Sequence, residues 1–451
     1  MNVITRFAPS PTGFLHMGGV RTALFSYLYA KQNNGTFALR IEDTDKARNK
    51  TEWETALIDD LSWLGLKHDT FSRQSDRIEI YSKYIQKLII NGSAYISKEI
   101  PKEEGQRHEV IRFKNPNKVV VINDLIRGEV RVDTTDLGDF VIARSFTEPV
   151  FHLAVVVDDF EMGITHVIRA EEHLSNTPRQ ILILEALGAP RPVYAHLPLV
   201  LAPDKSKLSK RKHGETVSLT YYRNKGYLPE SIINFVALMG WNPGTDQELF
   251  SLDELIAKFK LEKVQKGGAI FNINKLNWIN REYIRKLSNH SFADHIVPFI
   301  PEWLKTNDGL FIKLLPLLRK KINAFGDLAA ILSQEGELGF VKDLKSYEPD
   351  ILRWKKNPDF QITQRHLLAV KKLLENLGKG DWQVPKLTTS LWPYALEHGK
   401  GDVLWPLRVA LTGQERSPDP FTCANLLGKE ETIRRIDIAC QKILTIHPTN
   451  Q

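Results

Sequence analysis

At 451 residues the chain exceeds what one hydrophobic core usually fills, so two or three domains are expected. Apolar residues at 42% and charged residues at 25% describe a globular protein, and no apolar run reaches the roughly 20 residues of a membrane span. A net charge of +7 suits a polyanionic partner. Cys423 and Cys440 are too few for a disulfide framework or a thiolate zinc site, and the N-terminus lacks the basic and apolar regions of a signal peptide, so a reducing cytoplasm is expected.

The opening stretch RFAPSPTGFLHMGG (6–19) is dense in proline and glycine. VITRF predicts a short strand that Pro9 and Pro11 end, and Gly13 allows a sharp turn. Met17, Val20, Leu24 and Leu28 follow helical spacing, which puts His16, Gly18 and Gly19 in the first turn of a helix. FALRI (37–41) predicts a strand and TEWETALIDDLSWLG (51–65) a helix. Residues 96–118, dense in charge and proline, read as an insertion or loop. HLAVVVDDF (152–160) reads as a further β-rich run, and AHLPLVL (195–201) as β-like. This alternation predicts a parallel α/β sheet. After MGWNPG (239–244) strand signals become scarce. SLDELIAKFK, NKLNWINREYIRKL, FIKLLPLLRKKI and ETIRRIDIACQKIL all carry helical periodicity, so the C-terminal part reads as mostly α.

A helix N-terminus offers free N–H groups and a positive dipole end to an anion, and glycine there lets a nucleotide approach the backbone, so His16 is placed beside a phosphate. LAPDKSKLSKRKH (201–213) is rich in Lys and Arg from Lys205 to Lys212. A capped turn and a solvated basic loop are the plain readings of the two stretches taken separately. Together they resemble the two signatures of class I aminoacyl-tRNA synthetases, HMGG (16–19) standing for His-Ile-Gly-His and KLSKR (207–211) for Lys-Met-Ser-Lys-Ser. RFAPSPTGFLHMGGVRTALFSYLYA, FALRIEDTDKAR, GITHVIRAEEHLSNTPRQILILEALG, SKLSKRKHG and GYLPESIINFVALMGWNPG are similar, in order and spacing, to bacterial glutamyl-tRNA synthetases. The resemblance runs over nearly the whole chain. Glutaminyl enzymes typically open on Pro-Glu-Pro-Asn-Gly where this chain has PSPTG.

The resemblance implies an α/β Rossmann-type catalytic domain with a short inserted connective segment, then a mostly α-helical anticodon-binding region. The expected divisions are 1–95 and 151–240 for the catalytic halves, 96–150 for the insertion that meets the acceptor end, 241–300 for a stem-contact helical domain, and 301–451 for anticodon binding. It implies ATP-dependent activation of L-glutamate to glutamyl-adenylate and transfer to the 3′ end of tRNA(Glu), with tRNA(Gln) left open as a second substrate. No membrane association is expected, and the chain is expected to act as a monomer.

In-line attack of a carboxylate on the α-phosphorus needs no side-chain nucleophile; it needs positioning and charge stabilisation. His16, Lys207 and Lys210 fit as catalytic donors, with Mg²⁺ on the pyrophosphate oxygens. ATP contacts implied by the resemblance are Ser10, His16, Gly18, Gly19, Glu172, Val200 and Lys210. For glutamate they are Arg6, Ala8, Ser10, Glu42, Phe151 and Arg169: Glu42 meets the α-amino group, and Arg6 and Arg169 hold carboxylate, as a doubly anionic substrate requires. Asp43 and Asp45 read as helix-cap acids. The pair Asp158 and Asp159 reads as a turn or backbone cap after a strand, with a metal site as the sharper alternative.

Three departures stand out. Phe151 occupies a position where the family often has tyrosine, and Val155 one where many relatives carry asparagine. The segment between AYISKE and VIRFKN is short, without the larger insertion that in some relatives bears a zinc-binding cysteine cluster, so no zinc is expected. In 301–451, 22 Lys and Arg face 18 Asp and Glu, a modest surplus for a phosphate-binding surface. Trp354, Trp382, Trp392 and Trp405 could stack on unpaired bases, although tryptophans in helical domains are more often core. A small-molecule nucleotidylyltransferase would not need the long helical region after KLSKR, and a silent paralogue would not need intact His16, Lys210, Glu42 and Arg169.

Overall fold

The chain divides into two units, Met1–Tyr283 and Ile284–Gln451. The computed structural model describes residues 2–44, 48–100, 108–354 and 359–446, except the side chains of Lys210, Lys379 and Ile446.

The first unit begins with β1 (Ile4–Phe7), α1 (Met17–Gln32), β2 (Thr36–Ile41), α2 (Thr51–Trp63), β3 (Thr70–Arg73) and α3 (Ile78–Ile90). It continues through β4 (Ala94–Lys98), β5 (Glu109–Phe113), β6 (Val119–Asp124), β7 (Gly128–Asp133), β8 (Phe140–Ser145) and β9 (Glu148–Pro149). Next come α4 (Phe151–Glu161), β10 (His166–Ala170), α5 (Thr177–Leu187), β11 (Val193–Leu197), β12 (Val200–Leu201) and α6 (Lys210–His213). The unit closes with α7 (Leu219–Asn224), α8 (Pro229–Leu238), α9 (Leu252–Lys258), β13 (Ala269–Ile270) and the start of α10 (Ile273–Lys286). Seven strands form one sheet in the order β3-β2-β1-β10-β11-β6-β7, parallel throughout except for the β6–β7 hairpin. Strands β4, β5, β8 and β9 make a separate antiparallel sheet.

Period-two alternation sorts this sheet into two faces. Phe37, Leu39 and Ile41 of β2, Ile168 of β10, and Ala195 and Leu197 of β11 pack with Met17, Val20, Leu24 and Leu28 of α1 and Phe235 of α8. The intervening positions Ala38, Val167 and Tyr194 pack with Tyr81 and Ile85 of α3, Leu153, Val156 and Val157 of α4, and Ile181 and Leu184 of α5. At the penultimate position of four strands this second face turns polar: Arg6 on β1, Arg40 on β2, Arg169 on β10 and His196 on β11, all buried.

Two expectations are corrected. Residues 152–160 form helix α4 and no strand. A short, continuously apolar run carries no periodicity that separates the two states, and burial of Leu153 through Asp159 removes the polar face that would have marked a helix. The segment 96–118 contains β5 and the end of β4, so part of its described portion is sheet where a loop was expected; residues 101–107 lie outside the described residues. Charged side chains at exposed strand positions, Lys98 on β4 and Glu109 on β5, disguised the pattern.

The second unit holds α11 (Asn289–Ile296), α12 (Glu302–Lys305), α13 (Asp308–Lys321), α14 (Asp327–Ile331), α15 (Phe360–Glu375), α16 (Val384–His398), α17 (Lys400–Thr412) and α18 (Pro420–Ile446), the last broken at Gly428, with φ +80°. No strand occurs among its described residues. Arg435, buried, donates to the carbonyls of Phe340 at 2.8 Å and Leu411 at 2.6 Å and to Glu431 at 2.6 Å, tying α18 to the chain around it. Trp382 Nε1 donates to the Ala424 carbonyl at 2.8 Å, and Trp405 Nε1 to that of Ile351 at the same distance, so both indoles are structural. Trp354 packs on Trp405, and the Lys400 ammonium lies 4.8 Å from the Trp392 ring centre. Both cysteines are buried, with the Cys440 thiol pushed up to about 11 by burial. Among the described residues no helix is long and apolar enough to cross a membrane.

Candidate active site

The opening turn lies beyond the end of β1, held by its own backbone: the Pro9 carbonyl accepts from Glu42 N–H at 2.9 Å and the Pro11 carbonyl from Lys50 N–H at 3.3 Å. Ala8 is half-buried and Ser10 exposed on this turn. His16 is the N-cap of α1, its Nδ1 accepting the Gly19 N–H at 3.0 Å. That bond assigns the ring proton of the neutral imidazole to Nε2, which is left as a donor. Desolvation by the surrounding chain lowers the His16 pKa, Glu172 pulling it up and Lys207 down. A Cβ at Gly18 would stand 3.1 Å from His16 Nδ1 and 4.0 Å from Val200 Cγ2, so glycine keeps this turn open beside the imidazole.

The basic loop folds back on β12. Leu208 N–H donates to the Val200 carbonyl at 3.0 Å, and Leu201 bridges Lys207. This brings the Lys207 ammonium onto the Glu172 carboxylate, which burial pushes up but the Lys207 bond holds below the usual range. Lys210 opens α6, but its side chain lies outside the described residues, as does Asp45. Beyond the loop, Ser218 bridges His16 and Leu219 N–H donates to the Leu15 carbonyl at 2.9 Å, so both motif segments are sewn to one another. His16, Gly18, Gly19, Glu172, Val200 and Lys207 thus share one locality.

Beside it lies the buried charged layer. Asp159 Oδ1 accepts from Arg6 Nε at 3.1 Å and from Arg40 Nη1 at 2.7 Å, and Arg40 Nη2 donates to Glu42 at 3.0 Å. Burial would lower the Arg40 pKa, but Asp159, Glu42 and Asp158 outweigh it and keep the guanidinium charged. Glu42 is pushed up by burial, against Arg40 and Arg6, whereas Asp159 stays below the carboxylate range because both arginines outweigh burial. Asp158 accepts from Arg77 at 2.6 Å and from Gln74 and Tyr81 at 2.9 Å each. The pair is therefore neither turn nor cap: it hangs from α4 into the layer. Among the described residues no group of three or more His, Cys, Asp or Glu is placed to hold a metal ion.

Arg169 differs from its neighbours. Its Nε donates to His196 Nε2 at 3.2 Å and its Nη2 to Thr177 Oγ1 and Gln180 Oε1 at 2.8 Å each. No carboxylate pairs with it among the described residues. Burial, then the charge of Arg6, lowers its pKa to about 10. A buried guanidinium surrounded by neutral partners is costly unless a ligand anion completes it. Phe151 stands at the start of α4, its ring 5.8 Å from that of His173, whose pKa burial and Arg169 push down to about 4.

Sequence reasoning missed Arg40, Arg77, Asp124 and His196. A detectable signal existed for Arg40 and His196, each a polar residue inside an otherwise apolar strand run, FALRI and AHLPL.

A family model described as tRNA synthetases class I (E and Q), catalytic domain, matches residues 2–109 and 98–278, and one described as anticodon binding domain matches 291–440. A glutamate–tRNA ligase of Aquifex aeolicus is 41% identical over 478 residues, covering 98% of this chain and 99% of its own length. That of Carboxydothermus hydrogenoformans is 39% identical over 488 residues, with 96% and 99% covered. The crystal structure of a glutamate tRNA ligase from Elizabethkingia meningosepticum in complex with its amino acid superposes with a TM-score of 0.87 at 32% identity, covering 98% of this chain and 99% of that one. Likeness of this extent, in both units at once, leaves one assignment: the chain belongs to the class I tRNA synthetases of the E and Q group, among the glutamate–tRNA ligases.

Proposed function

We propose that this protein activates L-glutamate with ATP and transfers the glutamyl group to the 3′ end of tRNA(Glu), releasing AMP and pyrophosphate. The observation that carries the reading is Arg169, a buried guanidinium lacking a carboxylate partner among the described residues, beside Arg6 and Glu42 at the strand ends. A free carboxylate of glutamate completes it, Arg6 assists, and Glu42 faces the α-amino group; Ala8, Ser10 and Phe151 line the remainder. ATP lies along the His16 turn. There the His16 Nε2–H and the free N–H groups of α1 meet phosphate, Gly18, Gly19 and Val200 allow close approach, and Ser10 and Glu172 flank the nucleotide. The glutamate carboxylate attacks the α-phosphorus, and charge on the departing oxygens is met by His16, Lys207 and Lys210. For Lys207 this requires release from Glu172, exchanging a carboxylate for phosphate. Mg²⁺ bound with ATP would supply charge neutralisation at the pyrophosphate oxygens.

The assignment of 96–150 to the acceptor end, 241–300 to the stem and 301–451 to the anticodon follows the same reading, as do a cytoplasmic location and a monomeric enzyme. The test is charging of purified tRNA(Glu) and tRNA(Gln) with labelled glutamate, alongside glutamate-dependent ATP consumption with and without tRNA. Charging of tRNA(Glu) is expected; ATP turnover indifferent to glutamate would defeat the reading.

A further inference from the structure

The buried side chains behind Arg169 form a chain of their own. Asp124 closes the β6–β7 hairpin: its Oδ1 accepts the backbone N–H groups of Ile126 at 2.9 Å and Arg127 at 2.8 Å. Its Oδ2 accepts the backbone N–H of His196 at 3.0 Å and lies 2.6 Å from His196 Nδ1. An ionised carboxylate can only accept, so Nδ1 carries the proton and Nε2 presents its lone pair. That lone pair receives the Arg169 Nε–H at 3.2 Å, with Thr177 Oγ1 a second neighbour of the same nitrogen at 3.1 Å. Burial pushes the Asp124 carboxyl up, but the His196 bond and the two hairpin N–H groups hold it below its usual range. Burial lowers the His196 pKa, Asp124 opposing and Arg169 assisting, so the imidazole stays neutral. Both His196 and Asp124 side chains have no exposed surface.

We propose that His196, with its tautomer set by Asp124, is a positioning residue that fixes the plane of the Arg169 guanidinium and leaves its Nη1 aimed at the substrate carboxylate. The proposal rests on the reading of Arg169 as a glutamate contact. The geometry is specific to one protonation state. With Nε2 protonated, its hydrogen could turn to Thr177 Oγ1 at 3.1 Å, but the Arg169 Nε–H would then face an N–H across 3.2 Å and lose its acceptor, releasing that edge of the guanidinium. Thr177 and Gln180 hold only Nη2, so without the Nε contact the planar fork can pivot about that edge. The signal lies outside the HMGG and KLSKR motifs, on a strand whose register pairs Arg169 directly with His196.

Three variants test this in the full-length enzyme. His196→Asn keeps a polar group near the Nδ1 position and loses the acceptor toward Arg169; His196→Gln restores an acceptor near the Nε2 position. Asp124→Asn keeps the hairpin bonds through Oδ1 and turns an N–H₂ donor on Nδ1, forcing the proton onto Nε2. Steady-state aminoacylation should give a glutamate KM raised about 10–100-fold in His196→Asn and Asp124→Asn, the range seen when an outer partner of a functional ligand is lost. The ATP KM should be unchanged in both, and His196→Gln should return the glutamate KM to within about threefold of wild type, the order of a single restored neutral contact. Arg169→Gln is measured alongside. If it raises the glutamate KM while both His196→Asn and Asp124→Asn leave it within twofold, the positioning role is wrong and the assignment of Arg169 stands. If Arg169→Gln itself leaves glutamate KM unchanged, the substrate assignment fails and takes the positioning role with it. A loss confined to melting temperature and active fraction, with both KM values intact, would reduce His196 to a core residue and overturn the proposal.

Discussion

Asp159→Asn is expected to damage both stability and substrate affinity, for the same reason. The carboxylate bridges Arg6 at 3.1 Å and Arg40 at 2.7 Å within the sheet's polar layer, and its side chain is 9% exposed. An asparagine of the same shape keeps an acceptor but removes the charge, leaving Arg6 and Arg40 to face each other with Glu42 and Asp158 as the remaining acids. Removing one partner of a buried pair costs about 3–5 kcal/mol, a large share of the roughly 5–15 kcal/mol that holds a typical protein folded. Because both arginines hold the Asp159 pKa below its unfolded value of about 4, its stabilising contribution is complete above that pH and lost as pH falls through the depressed folded value. Urea titration of the full chain followed by circular dichroism should therefore separate wild type and variant by a constant gap between about pH 5 and 8, closing in stronger acid. The glutamate KM should rise in parallel as Arg6 loses its anchor. A gap under about 1 kcal/mol at pH 7, the size of an exposed pair, or one that persists unchanged into strong acid, would refute the argument.

Other expectations are as direct. Arg169→Gln should raise the glutamate KM by roughly 10² if about 3 kcal/mol is lost, with ATP binding by calorimetry little changed. Lys210→Ala should lower kcat by roughly 10²–10³ and shift the ATP KM far less, as for removal of one donor to developing charge; steady-state kinetics reads both. Trp382→Phe should cost about 1–3 kcal/mol in urea unfolding by removing the indole donor and leaving the buried Ala424 carbonyl only the long Thr432 Oγ1 contact at 3.4 Å, while filter binding shows tRNA affinity unchanged. Elemental analysis should find no stoichiometric zinc in the purified protein, and activity should return after chelation once Mg²⁺ is restored.

What the sequence disclosed, and what it withheld, follow from how local each signal is. The His16 turn was legible because a cap, two glycines and a helical stripe lie within a few residues of one another. β2 and α2 were legible for the same reason, as was the helical character of the second unit. The charged layer was not: Arg6, Arg40, Asp159 and Arg169 are brought together only by the sheet order β2-β1-β10 and by α4 crossing beneath it. The misreading of residues 152–160 as β hid the acids further, because a strand would have pointed Asp158 and Asp159 to opposite faces. Successive positions on a helix end can instead serve two neighbouring partners, Arg77 and Arg40. His196 was hidden in plain sight, since a buried histidine inside a strand reads as core until its two ring nitrogens are given partners.

The stitch between Leu15 and Leu219 has a consequence for the order in which the molecule is made. The His16 turn, proposed above to receive phosphate, leaves the ribosome some 200 residues before the backbone that braces it. At about 5–20 residues per second that interval is roughly 10–40 s, during which β1, α1 and β2 can assemble locally but the phosphate turn stays unbraced. On the proposed reading of the site, ligand-binding competence comes late in synthesis, after β10, β11 and the basic loop have emerged, and a chain stalled before Leu219 is expected to lack it.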